Sequence, residues 1–158
     1  MYLKAGDTIS GQEAVATMLV KNPDGTTTVE TMFWAKNLNS TVEIEKTDVF
    51  TLGRRGKQSK PTGWTGSGDM TIYYITSLFR RMIIQYIKTG SPVYFDMTIT
   101  NDDPASSVGA QTTVLKNCSL DSVTIAKLDV ETQVLDETVN FTFDDVDMLD
   151  EFQKPNLG

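Results

Sequence analysis

The sequence contains no histidine and a single cysteine in 158 residues. Without an imidazole there is no Ser-His or Cys-His relay and no histidine-ligated metal site, because these need a side chain that titrates near neutrality or donates a ring lone pair. The lone Cys118 closes no intrachain disulfide, which suits a chain made and kept in a reducing interior. It lies in an alternating segment and reads as a small apolar residue. The chain also lacks an opening basic stretch followed by an apolar one, so no signal peptide is expected. The longest nearly apolar run, around Met82-Ile83-Ile84, is broken by charge well short of the roughly 18 residues that a bilayer span requires. A protein that does not cross a membrane is expected.

What is present is ordinary in amount. With 39% apolar and 22% charged residues the chain lies near globular averages, and its length suits one domain with one core. The net charge of -7 hides an asymmetry: residues 1–100 carry 11 bases and 9 acids, residues 101–158 carry 3 bases and 12 acids. The poles are narrower. Arg54, Arg55, Lys57 and Lys60 form a basic cluster, and Asp144, Asp145, Asp147, Asp150 and Glu151 an acidic one. Three readings of the basic cluster stand side by side: a solvated loop, a phosphate-holding loop, or the pole of one copy that meets the acidic pole of another.

Strand signals dominate. Residues 13–21 and 26–35 flank Asn22-Pro23-Asp24-Gly25 as a hairpin, and Val42 and Ile44 alternate with Glu43 and Glu45 as a strand with one wet face. Residues 53–68, with five glycines, one proline and four bases, read as a long mobile loop, followed by a strand at 69–75. Leu78, Phe79, Met82, Ile83, Tyr86 and Ile87 recur at helical spacing over 77–89, with Thr76 or Ser77 as N-cap and Gly90 as C-terminal stop; their stripe is expected to seal the core. Strands are expected around Val93–Ile99, at 112–120 paired with 122–130, and at 138–143, with residues 144–158 as an acidic tail. The sum is a mainly β (α+β) fold, an antiparallel sandwich or barrel with one helix packed outside. Residues 1–148 are expected to form a single domain, and residues 149–158 a C-terminal tail.

Chemical motifs fail on spacing. Gly53-Arg54-Arg55-Gly56-Lys57-Gln58 lacks the spacer and hydroxyl of a P-loop, and Gly63-Trp64-Thr65-Gly66-Ser67-Gly68 lacks the helix of a dinucleotide fingerprint. Asp102 with Asp103, and Asp144 with its neighbours, lack the spaced loop that makes calcium binding specific. No cofactor, no metal and no catalytic residue is expected.

Several segments resemble a known family. Leu3-Lys4-Ala5-Gly6-Asp7-Thr8-Ile9-Ser10-Gly11-Gln12, Leu52-Gly53-Arg54-Arg55 with Gly66-Ser67-Gly68, Tyr74-Ile75-Thr76-Ser77-Leu78-Phe79 and Phe141-Thr142-Phe143-Asp144-Asp145 are similar to segments of tail tube proteins from contractile phage tails and phage-like prophage elements, the PBSX-like tail tube family. The hairpin within 14–40 looks longer than in that family. The resemblance implies six-membered rings stacked into a tube, a continuous inner barrel, the helix outside and a sheath protein around it. Baseplate and tail-terminator proteins would lie at the ends. Such a tube, in a phage, a defective prophage or a bacteriocin-like particle, would be assembled in the host cytoplasm and pass DNA without binding it specifically. Six subunits with four strands each, spaced about 4.8 Å and tilted about 45°, give a bore of about 40 Å, wide enough for a duplex. Its lining should be polar and mildly acidic so that a polyanion does not adhere. Candidate contacts between subunits or rings are Arg54, Arg55, Lys57, Lys60, Trp64, Asp144, Asp145 and Asp147. The alternative is a monomeric carbohydrate-binding or adhesion module using Trp34, Trp64 and Tyr94 as a sugar platform.

Overall fold

The computed structural model describes residues 2–155 and 157. Eight strands and one α-helix follow in the order β1 (Ala14–Lys21), β2 (Thr27–Thr31), β3 (Ala35–Val49), β4 (Gln58–Tyr73), α1 (Leu78–Thr89), β5 (Tyr94–Asp102), β6 (Ala110–Ser122), β7 (Asp136–Phe143) and β8 (Asp145–Asp150). Every strand pair is antiparallel. One sheet runs β2-β1-β5-β6-β8 and the other β3-β4-β7-β6. The expected antiparallel β fold with one helix is what the chain forms.

Strand β6 belongs to both sheets. Its residues 110–118 pair with β5, and residues 119–122 with β7. The corner is Asn117, whose φ of 52° is left-handed, a conformation that asparagine tolerates better than most side chains. Three bonds hold it: its N–H donates to Asp96 Oδ1 (2.9 Å), its Nδ2 donates to Asp144 Oδ1 (3.0 Å), and its Oδ1 accepts from Lys21 Nζ (2.9 Å). The corner folds one sheet over the other, and the core fills the space between. Met18, Val20, Trp34, Met70, Ile72, Phe95, Met97, Leu115, Cys118, Val139 and Phe141 are buried there. Trp34 meets Phe79 edge-on at 5.3 Å between ring centroids, and Phe79 meets Phe95 at 6.3 Å. Burial pushes the Cys118 thiol up to about 12, as fits the small apolar residue read from sequence.

Helix α1 ends as expected, on Gly90 at φ 74° with its N–H on Tyr86 O. At its start the Leu78 N–H donates to Thr76 Oγ1 (3.3 Å). Its sealing stripe is shorter than the periodicity implied. Leu78, Phe79 and Met82 are buried and Ile83 is half-buried, but Tyr86 and Ile87 are 54% and 65% exposed. The sandwich ends beneath the first two turns, so the last turn has no sheet to cover.

Three further expectations need correction. Residues 53–68 are not a long loop: β4 begins at Gln58, and only residues 50–57 form the turn from β3. The glycines that obscured the strand serve packing. A Cβ on Gly66 would come 2.4 Å from the Phe143 ring, and one on Gly68 would come 2.5 Å from both the Phe141 ring and Asn39 O. These glycines let the two β7 rings lie flat against β4. Residues 122–130 are not a strand beyond Ser122, because β6 already has β5, β7 and β8 as partners. Finally, the acidic end is not a free tail. Asp145–Asp150 form β8 on β6, with Thr113↔Met148 and Leu115↔Val146 in register.

Candidate assembly surface

The long hairpin β3-β4 is rooted in the sandwich and projects from it. At the root, residues 66–73 of β4 pair with β7; beyond Gly66 the hairpin is a two-stranded arm. Val42 and Ile44, expected on the dry face of a half-buried strand, are 47% and 55% exposed, because the core-side face of the sheet continues along the arm past the sandwich, where nothing among the described residues covers it. Together with Pro61, Gly63, Trp64 and Val146 they line an open apolar cleft of about 420 Å³. Trp64 is 44% exposed and leans on Phe143 at 6.3 Å.

The arm also carries the basic cluster. Arg54, Arg55 and Lys57 lie in the turn and Lys60 near the start of β4, all exposed, and none forms an ion pair among the described residues. The Lys57 ammonium sits 5.6 Å from the centre of the Phe50 ring. The acidic cluster is more occupied. Asp147 bonds Lys116, which raises the lysine above its ordinary value, and Asp150 accepts from Thr112 Oγ1 (2.9 Å). Asp144 is engaged by Asn117, and Asp145 accepts the neighbouring Val146 N–H (2.8 Å). Among the described residues the two poles make no ion pair with each other.

The second face of β3-β4-β7-β6 drew no attention as a surface in the sequence. Alternation opposite the core residues Met70, Ile72, Val139 and Phe141 places Thr65, Ser67, Asp69 and Thr71 of β4 on it, and Thr138, Asn140 and Thr142 of β7. Side-chain bonds run across it: Thr65 Oγ1 to Glu45 Oε1 (3.2 Å), Asn140 Nδ2 to Ser122 Oγ (2.7 Å), and a Ser119–Thr142 hydroxyl pair (3.2 Å). The Thr71 N–H donates to Asn37 Oδ1 (3.2 Å). Small polar and acidic side chains make up this face. The cations at its margin, Lys36 and Lys127, both lie against Asp136 (3.0 and 3.7 Å). The hydrogen bond from Lys36, then its charge, holds the Asp136 carboxyl below the usual carboxylate range, and the same bond raises Lys36. The signal was available in the period-2 run Thr65-Gly66-Ser67-Gly68-Asp69-Met70-Thr71-Ile72, but two of its core-facing positions are glycines.

The aromatic platform of the alternative reading does not form. Trp34 is 1% exposed in the core, away from solvent, while Trp64 and Tyr94 are partly exposed.

Comparison with known proteins agrees with the fold. The chain is 38% identical over 148 residues to the phage-like element PBSX protein XkdM of Bacillus subtilis (strain 168), covering 94% of this chain and 95% of that protein. Its fold is similar to a chain of the anti-feeding prophage baseplate in a 6-fold symmetrised structure, with a TM-score of 0.63, 16% identity, and 94% and 97% of the two chains covered. It is also similar to the SPP1 tail tube, with a TM-score of 0.61, 12% identity, and 89% and 78% covered. A family profile described as phage tail tube protein matches residues 1–150, and this chain belongs to that family.

Proposed function

We propose that the protein is a structural tube subunit whose copies join head to tail into hexameric rings, and that these rings stack around a central channel. The observation that carries this reading is the polar, faintly acidic outer face of β3-β4-β7-β6, the face suited to line a channel. Hydroxyl and amide side chains keep the wall hydrated, while Glu45 and Asp69 give it the charge of the cargo and no array of cations for phosphates to condense on. DNA, in this reading, passes without specific binding. The helix then faces outward toward a sheath protein, baseplate and tail-terminator proteins close the ends, and assembly takes place in the host cytoplasm. The 6-fold symmetrised baseplate supports the ring order by likeness of fold.

Sedimentation and negative-stain images of the purified protein across concentration and salt test the reading. The expected result is six-fold rings and stacked tubes with a bore near 40 Å, the size that 24 tilted strands enclose. A particle that remains at 17.5 kDa throughout would overturn it.

A further inference from the structure

The sequence has one place where an aspartate or asparagine precedes a glycine, the Asp24-Gly25 step at the tip of the β1-β2 hairpin. Such a step has its own chemistry. A residue without a side chain lets its amide nitrogen approach the Cγ of the preceding aspartate and close a five-membered ring. The turn is open to this reaction sterically: Asp24 and Gly25 are exposed, and a Cβ on Gly25 would meet no heavy atom of the described residues within 4 Å.

Hydrogen bonds oppose the same reaction. The Gly25 N–H, which must be surrendered for the attack, donates to Asn22 O (3.0 Å). Asp24 Oδ1 accepts from the Thr26 hydroxyl (2.6 Å) and from the Thr26 N–H (2.9 Å). The hydroxyl bond first, and then the N–H bond, hold the Asp24 carboxyl below the usual carboxylate range. An ionised carboxylate resists attack, because the oxygen that must leave as water carries no proton.

We propose that Asp24-Gly25 is a site of spontaneous aspartate isomerisation and that the Thr26 hydroxyl sets its rate. The Gly25 nitrogen attacks Cγ of the protonated Asp24 carboxyl, a C–N bond forms, the amide proton passes to solvent, and the carboxyl oxygen leaves as water. The product is a succinimide. Water that adds at Cγ breaks the new C–N bond and restores aspartate; water that adds at the backbone carbonyl breaks the original peptide bond and leaves isoaspartate, with the chain running through Cγ. One water is lost and one regained, so the mass is unchanged and no other reagent is consumed. Isoaspartate lengthens the main chain at a turn whose flanking strands are in register from Lys21↔Thr27, and it takes the carboxylate away from Thr26. At the base of the turn Asn22 and Thr28 line a cleft of about 270 Å³ against Leu78, Arg81 and Met82 of α1, so the altered turn loosens the hairpin where it adjoins the helix.

Ageing of the full chain tests the assignment. The protein is incubated at neutral pH beside a synthetic peptide of residues 22–36, an unstructured reference that trypsin also releases from the protein. The isoaspartyl form elutes apart at equal mass. It is identified by electron-transfer fragmentation and by methylation with a protein isoaspartyl methyltransferase and S-adenosylmethionine. Isoaspartate is expected at residue 24 of the folded protein, forming more slowly than in the peptide. Thr26→Val keeps the shape and the N–H but loses the hydroxyl, and should speed the reaction about tenfold, the worth of one hydrogen bond to a charged group. Thr26→Ser should restore the parent rate. Thr28→Val removes the other hydroxyl that Asn22 Nδ2 reaches (3.3 Å) without touching Asp24, and should leave the rate unchanged. Conversion of the peptide while the parent and Thr26→Val both stay unmodified would overturn the site. Equal rates in the parent, Thr26→Val and the peptide, or an equal acceleration by Thr28→Val, would overturn the role of the Thr26 hydroxyl.

Discussion

Within β4, residues 66–73 and residues 58–65 lie in different physical environments. The first set is flanked by β3 and β7 and alternates between core and surface; the second is paired with β3 alone, and every side chain in it is exposed. Both belong to one strand and one sheet, so the difference comes from neighbours rather than from intrinsic preference. A two-stranded ribbon is marginal in water by itself, whereas strands pressed into a two-sheet core are not. The sandwich body thus carries the stability of the subunit, and the arm carries surface that one subunit cannot cover. Substitutions should separate the two regions, with the body responding in unfolding and the arm in assembly.

The largest effect should come from the ion pair that ties the helix to the body. Arg80 Nη1 lies 2.6 Å from Glu137 Oε2, the Glu137 side chain is fully buried, and its Oε1 has no hydrogen-bond partner among the described residues. The guanidinium also packs on the Tyr74 ring at 4.4 Å and bonds Thr76 O. Arg80→Met leaves a carboxylate buried without its cation and should cost about 3–5 kcal/mol in urea unfolding. Ile44→Ser in the arm, by contrast, should change the same measurement by less than about 0.5 kcal/mol. Equal losses in the two variants would erase the distinction between body and arm.

A smaller effect sharpens the boundary between the regions, which falls at the two strand glycines. Gly66→Ala meets the edge of the Phe143 ring, a side chain at the rim of the core that can swing. Gly68→Ala meets the wholly buried Phe141 ring and the backbone oxygen of Asn39, and neither can give way without moving the strand. Overpacking of this kind costs about 1–3 kcal/mol, with Gly68→Ala expected at the top of that range and Gly66→Ala at the bottom. Thermal unfolding of the pair measures the order. A reversed order would place the rigid part of the root beyond Gly66, in the arm.

The body was largely legible in the sequence and the arm was not, for a reason these residues make plain. Val93, Phe95 and Met97, and Val139, Phe141 and Phe143, alternate because each faces a core supplied by its own chain. The hairpin at Asn22–Gly25 was legible because its chemistry is local: Gly25 takes φ 89°, and Asp24 Oδ1 accepts from the Thr26 N–H and hydroxyl. Residues 58–68 read as a loop because alternation was sought as apolar against polar, whereas here glycine stands where a β7 ring already fills the space. The same blindness applied to the channel-suited face, whose pattern of threonine, serine and asparagine carries no hydrophobic period. Tyr86 and Ile87 show the reverse error: a perfect helical stripe says nothing about where the sheet beneath it stops. Asn117 left no local mark at all, since its role depends on Asp96, Lys21 and Asp144 converging on it.

The smallest effect on the subunit should come from the tip of the arm. Arg54, Arg55 and Lys57 are exposed and form no ion pair among the described residues, so reversing all three to Glu should leave unfolding within about 0.5 kcal/mol of the parent. Assembly should respond very differently if the basic turn meets the acidic strand of a neighbour. Asp147 is held by Lys116 and Asp150 is bonded by Thr112, which leaves Asp145 as the side chain in β8 bonded only to its own strand. One exposed pair contributes at most about 1 kcal/mol, so the contact matters only through repetition around a ring. Tube formation should therefore weaken steeply as the screening length falls from about 10 Å at 0.1 M salt toward about 3 Å at 1 M, and the triple Glu variant should remain as free subunits. Asp145→Lys in the same chain should partly restore polymerisation, because it returns an opposite charge to the contact without touching the core. Tubes of normal length from the triple variant would show that the turn is simply solvated. The arm's hold on a neighbour would then fall to the apolar cleft around Trp64, Val42 and Ile44, and assembly would grow stronger with salt instead of weaker.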